Sequence, residues 1–325
     1  MTELGENPGI KMGLFSDPAS RRVLVNILLV VGLYLVIGLL RPAFLSSGSF
    51  WSLSQQTSVL LLVALGATFV VMMGMIDLSI GSLVTLSAMV LAVSHPMLGD
   101  GAVLFAIAVT TAVGALNGVV ITAFRLPSFL VTLGSLSIIQ GITLTISPSY
   151  VRFQSDLVDF IAIQRLFGVV PVLTVIAVVM AVLFVLVARY SVFGRGAYAI
   201  GGGEKVAQLL GLPIRRYKIA AFAISGFTCA IAGVILAGQV GAGNPQIGAR
   251  FLLDAIAAIA VGGTALSGGV GGPFGTVIGA AIITLISSGL VYFGAAEELQ
   301  LIVKGLVVIL AVYFTMKRGA GLIVK

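Results

Sequence analysis

Apolar runs of about 20 residues recur from Val23 to Phe314, separated by short polar or glycine-rich connections. Each is long enough to cross about 30 Å of hydrocarbon as a helix. Lipid offers no water to the backbone, so a spanning segment must satisfy its peptide groups internally, as a helix does. Charged residues make up 9% of the 325, where a soluble domain carries about 25%. The expectation is an all-α polytopic membrane protein, with a polar tail at 1–20, one transmembrane domain over 21–316 and a basic tail at 317–325. The net charge of +7 sits at helix ends and does not point to nucleic acid. The single cysteine, Cys229, excludes a disulfide within the chain.

The spacing predicts spans near Val23–Leu40, Thr57–Met75, Ser82–Val93, Ala102–Phe124, Ser128–Ile146, Val170–Ala188, Ile219–Val240, Phe251–Leu266, Phe274–Phe293 and Leu301–Phe314. Phe44–Gln56 is amphiphilic and suits an interface, with Trp51 as its anchor. Residues 189–218 form a loop with six basic side chains, and positive charge stays inside during insertion. Most basic residues then fall inside and Arg41, Arg152, Arg165 and Arg250 outside. This supports ten spans with both termini cytoplasmic. Gly114 with Gly118 and Gly275 with Gly279 read as helix-packing faces.

No catalytic constellation is present. None of the six lysines follows a glycine, which excludes a phosphate-binding P-loop. His95 stands without a Cys or His cluster and suits a structural interfacial place. Asp77, in MGMIDLSIGS, is an expensive residue at membrane depth. It either caps the next helix across a break or lines a transport route, with Ser79 beside it. Asp254 poses the same choice, with Arg250 four residues earlier as the simple ion-pair partner. Asn117, Ser128, Thr132, Ser135 and Gln140 bring neutral donors and acceptors that either bind helices together or wet a pore for a polyol. The scarcity of buried charge disfavours ion coupling. Within the loop, EKVAQLL at 204–210 spans about two helical turns, stopped by Gly211 and Pro213. Its apolar face suits either a groove on another protein or the lipid headgroups.

MIDLSIGS at 75–82, LPSFLVTLGSLSIIQG at 126–141, FGRGAYAIGGGEKVAQLLGL at 193–212 and LDAIAAIAVGGTALSGGVGG at 253–272 resemble, in order and spacing, the membrane permeases of ribose/xylose-type carbohydrate ABC importers. The resemblance implies the ten-helix fold of vitamin B12 permeases, in a bacterial inner membrane. It implies a second permease subunit, identical or homologous, cytoplasmic ATPases that bind ATP and Mg in this chain's stead, and a periplasmic sugar-binding protein. Gly201, Glu204, Ala207, Leu210 and Gly211 correspond to the coupling helix that contacts the ATPase. Arg41, Arg152, Arg165 and Arg250 are candidates for docking the binding protein. Met75, Gly203, Leu253 and Gln140 depart from the usual Gly, Asn, Glu and Arg. The expected function is a permease, not an enzyme, that moves a pentose, hexose or related polyol. The alternatives are a branched-chain amino-acid-type ABC permease, and a facilitator or channel with no ATPase.

Overall fold

Proline and glycine punctuation sets the helix ends in the computed structural model, which describes residues 18–317. Helix α1 (Pro18–Leu40) stops before Pro42, and Pro42–Leu45 makes a 3-10 turn. The Ser46 hydroxyl accepts a bond from Ser49 N and opens α2 (Ser47–Met72). The amphiphilic segment expected at an interface is therefore the first part of α2, continuous with the second span. Irregular backbone follows to α3 (Ile80–Leu98), which runs on past Pro96. Then come α4 (Gly101–Phe124) and α5 (Ser128–Ile146), the latter with the bounds expected. The outer loop expected at 147–168 has structure of its own: β1 (Val151–Arg152), α6 (Asp156–Ala162) and β2 (Arg165–Leu166). β3 (Val170–Pro171) pairs with β2 and leads into α7 (Val172–Tyr190).

The basic loop expected at 189–218 is mostly helical. It holds α8 (Val192–Gly202) and α9 (Glu204–Leu209), and α10 (Ile214–Val240) already begins at its end. Arg215, Arg216 and Lys218 belong to the first turns of α10. β4 (Ala242–Gly243) pairs antiparallel with β1, and α11 (Phe251–Val261), α12 (Pro273–Tyr292) and α13 (Glu297–Lys317) complete the chain. The expected tails lose Pro18–Ser20 to α1 and Lys317 to α13; the rest of both lies outside the described residues.

Seven described helices, α2, α3, α4, α5, α7, α10 and α12, are long and apolar enough to cross a membrane. The eighth expected span is shorter than its sequence suggested. Helix α11 has 11 residues, about 16 Å of rise, and Gly262 to Gly272 continue it as a loop. Gly263, Gly268, Gly269 and Gly271 hold positive φ there, backbone that other residues rarely adopt.

Helix α2 is the axis of the bundle. Leu62, Leu65, Phe69 and Met72 are fully buried, and α10, α12, α7 and α11 surround it. Apolar side chains gain little by leaving lipid for protein, so close packing and hydrogen bonds must hold these helices together. The expected small-residue faces do this. A Cβ on Gly118 would lie 2.7 Å from Ile219 Cα, and one on Gly279 would lie 1.9 Å from the Ala258 oxygen. These glycines let α4 meet α10 and α12 meet α11 backbone to backbone.

Candidate functional site

The break between α2 and α3 exposes backbone groups that a helix would have used, and neighbouring helices take them up. Ser128 Oγ on α5 accepts from Ile76 N at 3.0 Å, and Thr132 Oγ1 accepts from Leu78 N at 3.0 Å. Asp77 is buried. Its Oδ1 accepts from the amide (2.9 Å) and hydroxyl (2.5 Å) of Ser79, and its Oδ2 accepts from Ser225 Oγ on α10 (2.8 Å). Asn117 Nδ2 on α4 donates to Ser79 Oγ at 3.1 Å. Five of the proposed pathway residues, Asp77, Ser79, Asn117, Ser128 and Thr132, thus form one closed knot joining α3, α4, α5 and α10. Ser225 completes the knot; as a lone serine in an apolar span it carried no signal in the sequence.

The remaining pathway candidates lie elsewhere. Ser135 is half-buried on α5. Gln140 Nε2 donates to Pro245 O at 3.0 Å and pins α5 to the connection that follows α10. Asp254 pairs with Lys304 on α13 at 2.9 Å, both side chains buried. The i,i+4 partner expected for it, Arg250, lies instead over the Phe251 ring, 5.1 Å from its centroid. Arg250 has helical dihedrals, so the spacing is available, but its guanidinium is engaged by the ring instead. Buried ions need a partner close at hand, and among the described residues Lys304 supplies it.

Asp254 and Lys304 line an open-sided cavity of about 600 Å³ between α2, α10, α11, α12 and α13, with Ala162, Ile163, Arg165 and Arg250 at the β-strand end of the bundle. Two of the four proposed docking arginines therefore rim this cavity. Arg41 is exposed, with its guanidinium 5.6 Å from the Phe293 ring, and Arg152 is exposed on β1.

The opposite end of the bundle carries α8 and α9. Ser191 Oγ accepts from Gly194 N and opens α8. Ile200 is buried beneath it, and Tyr198 donates its hydroxyl to Gly271 O at 2.7 Å. Burial pushes the Tyr198 phenol above its ordinary pKa. Ile200 and Tyr198 thus turn inward from α8. Gly201 is part of that packing: a Cβ there would sit 1.9 Å from Met72 O and 2.4 Å from Gly269 N. Gly269 N also donates to Met72 O at 2.9 Å, and Gly74 meets Gly268 in the same seam.

On α9, Ala207 is also buried, while Glu204 is exposed and pairs with Lys218 at 2.7 Å. Leu210 is 77% exposed and Gly211 turns the chain at φ +82°. Of the five coupling candidates, Glu204, Leu210 and Gly211 lie at the surface, and Gly201 and Ala207 face the protein. Val206 and Leu209, 61% and 87% exposed, were not among the candidates. They extend Leu210 into an apolar face, and their spacing from the buried Ala207 on a helical wheel is the signal that identifies them.

Comparison with known proteins agrees along the chain. A family model described as "branched-chain amino acid transport system / permease component" matches residues 49–312. The ribose import permease protein of Escherichia coli (strain K12) is 34% identical over 301 residues, covering 90% of this chain and 93% of the relative. The D-allose transport system permease protein of the same strain is 34% identical over 319 residues, 96% and 95% of the two chains. The xylose transport system permease protein of Haemophilus influenzae (strain ATCC 51907 / DSM 11121 / KW20 / Rd) is 30% identical over 335 residues, 83% and 89%. No solved structure matches the chain.

Proposed function

The chain belongs to the branched-chain amino acid transport system permease family, and from that premise we propose that it is the membrane permease of a sugar-importing ABC transporter. The observation that carries the sugar assignment is the near full-length similarity to ribose, D-allose and xylose permeases. The family's description names amino acids, but those relatives are carbohydrate permeases. The polar inventory of this chain agrees with them, being mostly neutral amides and hydroxyls.

In this reading ten membrane segments, α11 among them as a half-span, place both termini in the bacterial cytoplasm. Two permease subunits share one pathway. Cytoplasmic ATPases hold the ATP and Mg and perform the hydrolysis. The apolar face of Val206, Leu209 and Leu210 seats α9 in an ATPase groove, with Glu204 and Gly211 at its ends. Arg41, Arg152, Arg165 and Arg250 meet acids on a periplasmic binding protein, where exposed charge guides docking more than it adds affinity. The Asp77 knot is structural: every carboxylate oxygen is used, and Ser128 and Thr132 are occupied by backbone.

The test is uptake into proteoliposomes holding this permease with its ATPase and binding protein. ATP-dependent accumulation of labelled ribose, xylose or allose is expected. Accumulation of leucine but no sugar, or sugar uptake that persists without ATP hydrolysis, would overturn the assignment.

A further inference from the structure

The cavity that holds Asp254 and Lys304 is lined by helices of a single chain. Its walls are the first turns of α2 and α13, the last turns of α10 and α12, and the start of α11. Its size falls in the range of about 300–1,000 Å³ typical of small-molecule sites.

The lining is unusually polar for a membrane domain. Gln55 on α2, half-buried, and Gln239 on α10, exposed, both line the space, and among the described residues neither amide is engaged by another group. Ser287 Oγ on α12 is buried with no hydrogen-bond partner. At the floor, Lys304 is neutralised by Asp254 at 2.9 Å, so the depth of the cavity holds a dipole and not a net charge.

We propose that this cavity is a sugar subsite, one per permease subunit, open to the periplasmic face. The inference rests on the sugar-import reading and names where that substrate waits. A neutral polyol presents hydroxyls that both donate and accept. Each glutamine amide does the same, and the Asp254 carboxylate accepts. An apolar molecule would strand the amides. The Arg165 and Arg250 side chains at the rim place the mouth where a docked binding protein would open.

The test uses the complete importer in right-side-out vesicles, with Ile163→Cys and Ser52→Cys, two lining positions outside the proposed sugar contacts, introduced singly. The natural Cys229 is buried and leaves the background low. A membrane-impermeant thiol reagent is added with D-ribose, D-xylose, D-allose, or acetate, and uptake by each variant is measured alongside. Both introduced thiols are expected to react from outside. A sugar the importer carries should slow the reaction by the factor 1 + [L]/Kd, about tenfold at ten times its dissociation constant. Acetate should not. Unchanged labelling in vesicles that still import the sugar would overturn the subsite while leaving the function intact. Thiols that never react from outside, or protection by acetate and not by sugar, would overturn it too. Protection by sugar in an importer that moves only amino acids would keep the cavity assignment and remove the sugar-import reading.

Discussion

Replacing one oxygen of Asp77 by an amide turns an acceptor toward Ser79 or Ser225 into a donor. A buried hydrogen-bonding group left without its partner costs about 1–3 kcal/mol, so Asp77→Asn should lower thermal stability measurably. Abundance and sugar uptake should fall in proportion, as read by a melting curve and a transport assay on the same preparation. Normal melting with lost uptake would return Asp77 to the pathway. Lys304→Met poses the complementary case. It strands a buried carboxylate, a change that costs about 3–5 kcal/mol in dry interiors. Water in the cavity should hold the loss near the low end, and adding Asp254→Asn should recover most of it. Residue identities showed where the expensive groups lie but not what they touch. Asp77 announced a break, yet Ser225 stands 148 positions away on another helix. Asp254 suggested Arg250 by proximity in the chain, and the partner that geometry supplies is Lys304.

At the scale of elements, the face on α9 invites a direct test. Leu209→Asp with Leu210→Asp adds charge to two strongly exposed side chains, so folding should be unaffected. Pull-down of the ATPase should be lost, and ATP hydrolysis should no longer respond to loaded binding protein. Gly211→Trp should act similarly, since φ +82° disfavours a bulky side chain; normal uptake by that variant would remove α9 as the coupling element. Helices with strong apolar runs and clear punctuation were legible, α5 to the residue. The elements that escaped notice are short. Helix α8 was hidden because glycine-rich segments score poorly as helix, and its packing against Met72 and Gly269 overrides that preference. Helix α11 appeared longer because its apolar sequence continues through glycines whose positive φ ends the helix.

For the whole molecule, the sidedness argument yields a plain expectation. Epitope tags at either terminus should resist protease added to right-side-out vesicles, and the same protease should remove them once detergent is present. A tag digested without detergent would invert the map. The bundle as an object also carries a constraint on how its sequence can drift. Most core positions, such as Leu62 and Leu65 on α2, touch side chains, so a gain in volume at one site can be offset by a loss at another. The seam of Gly74, Gly201, Gly268 and Gly269 touches backbone, which has no smaller version to retreat to. No second-site change at a neighbour can make room for a methyl there. These four positions should therefore behave as isolated points in sequence space, each purged on its own, while the leucines around them wander together.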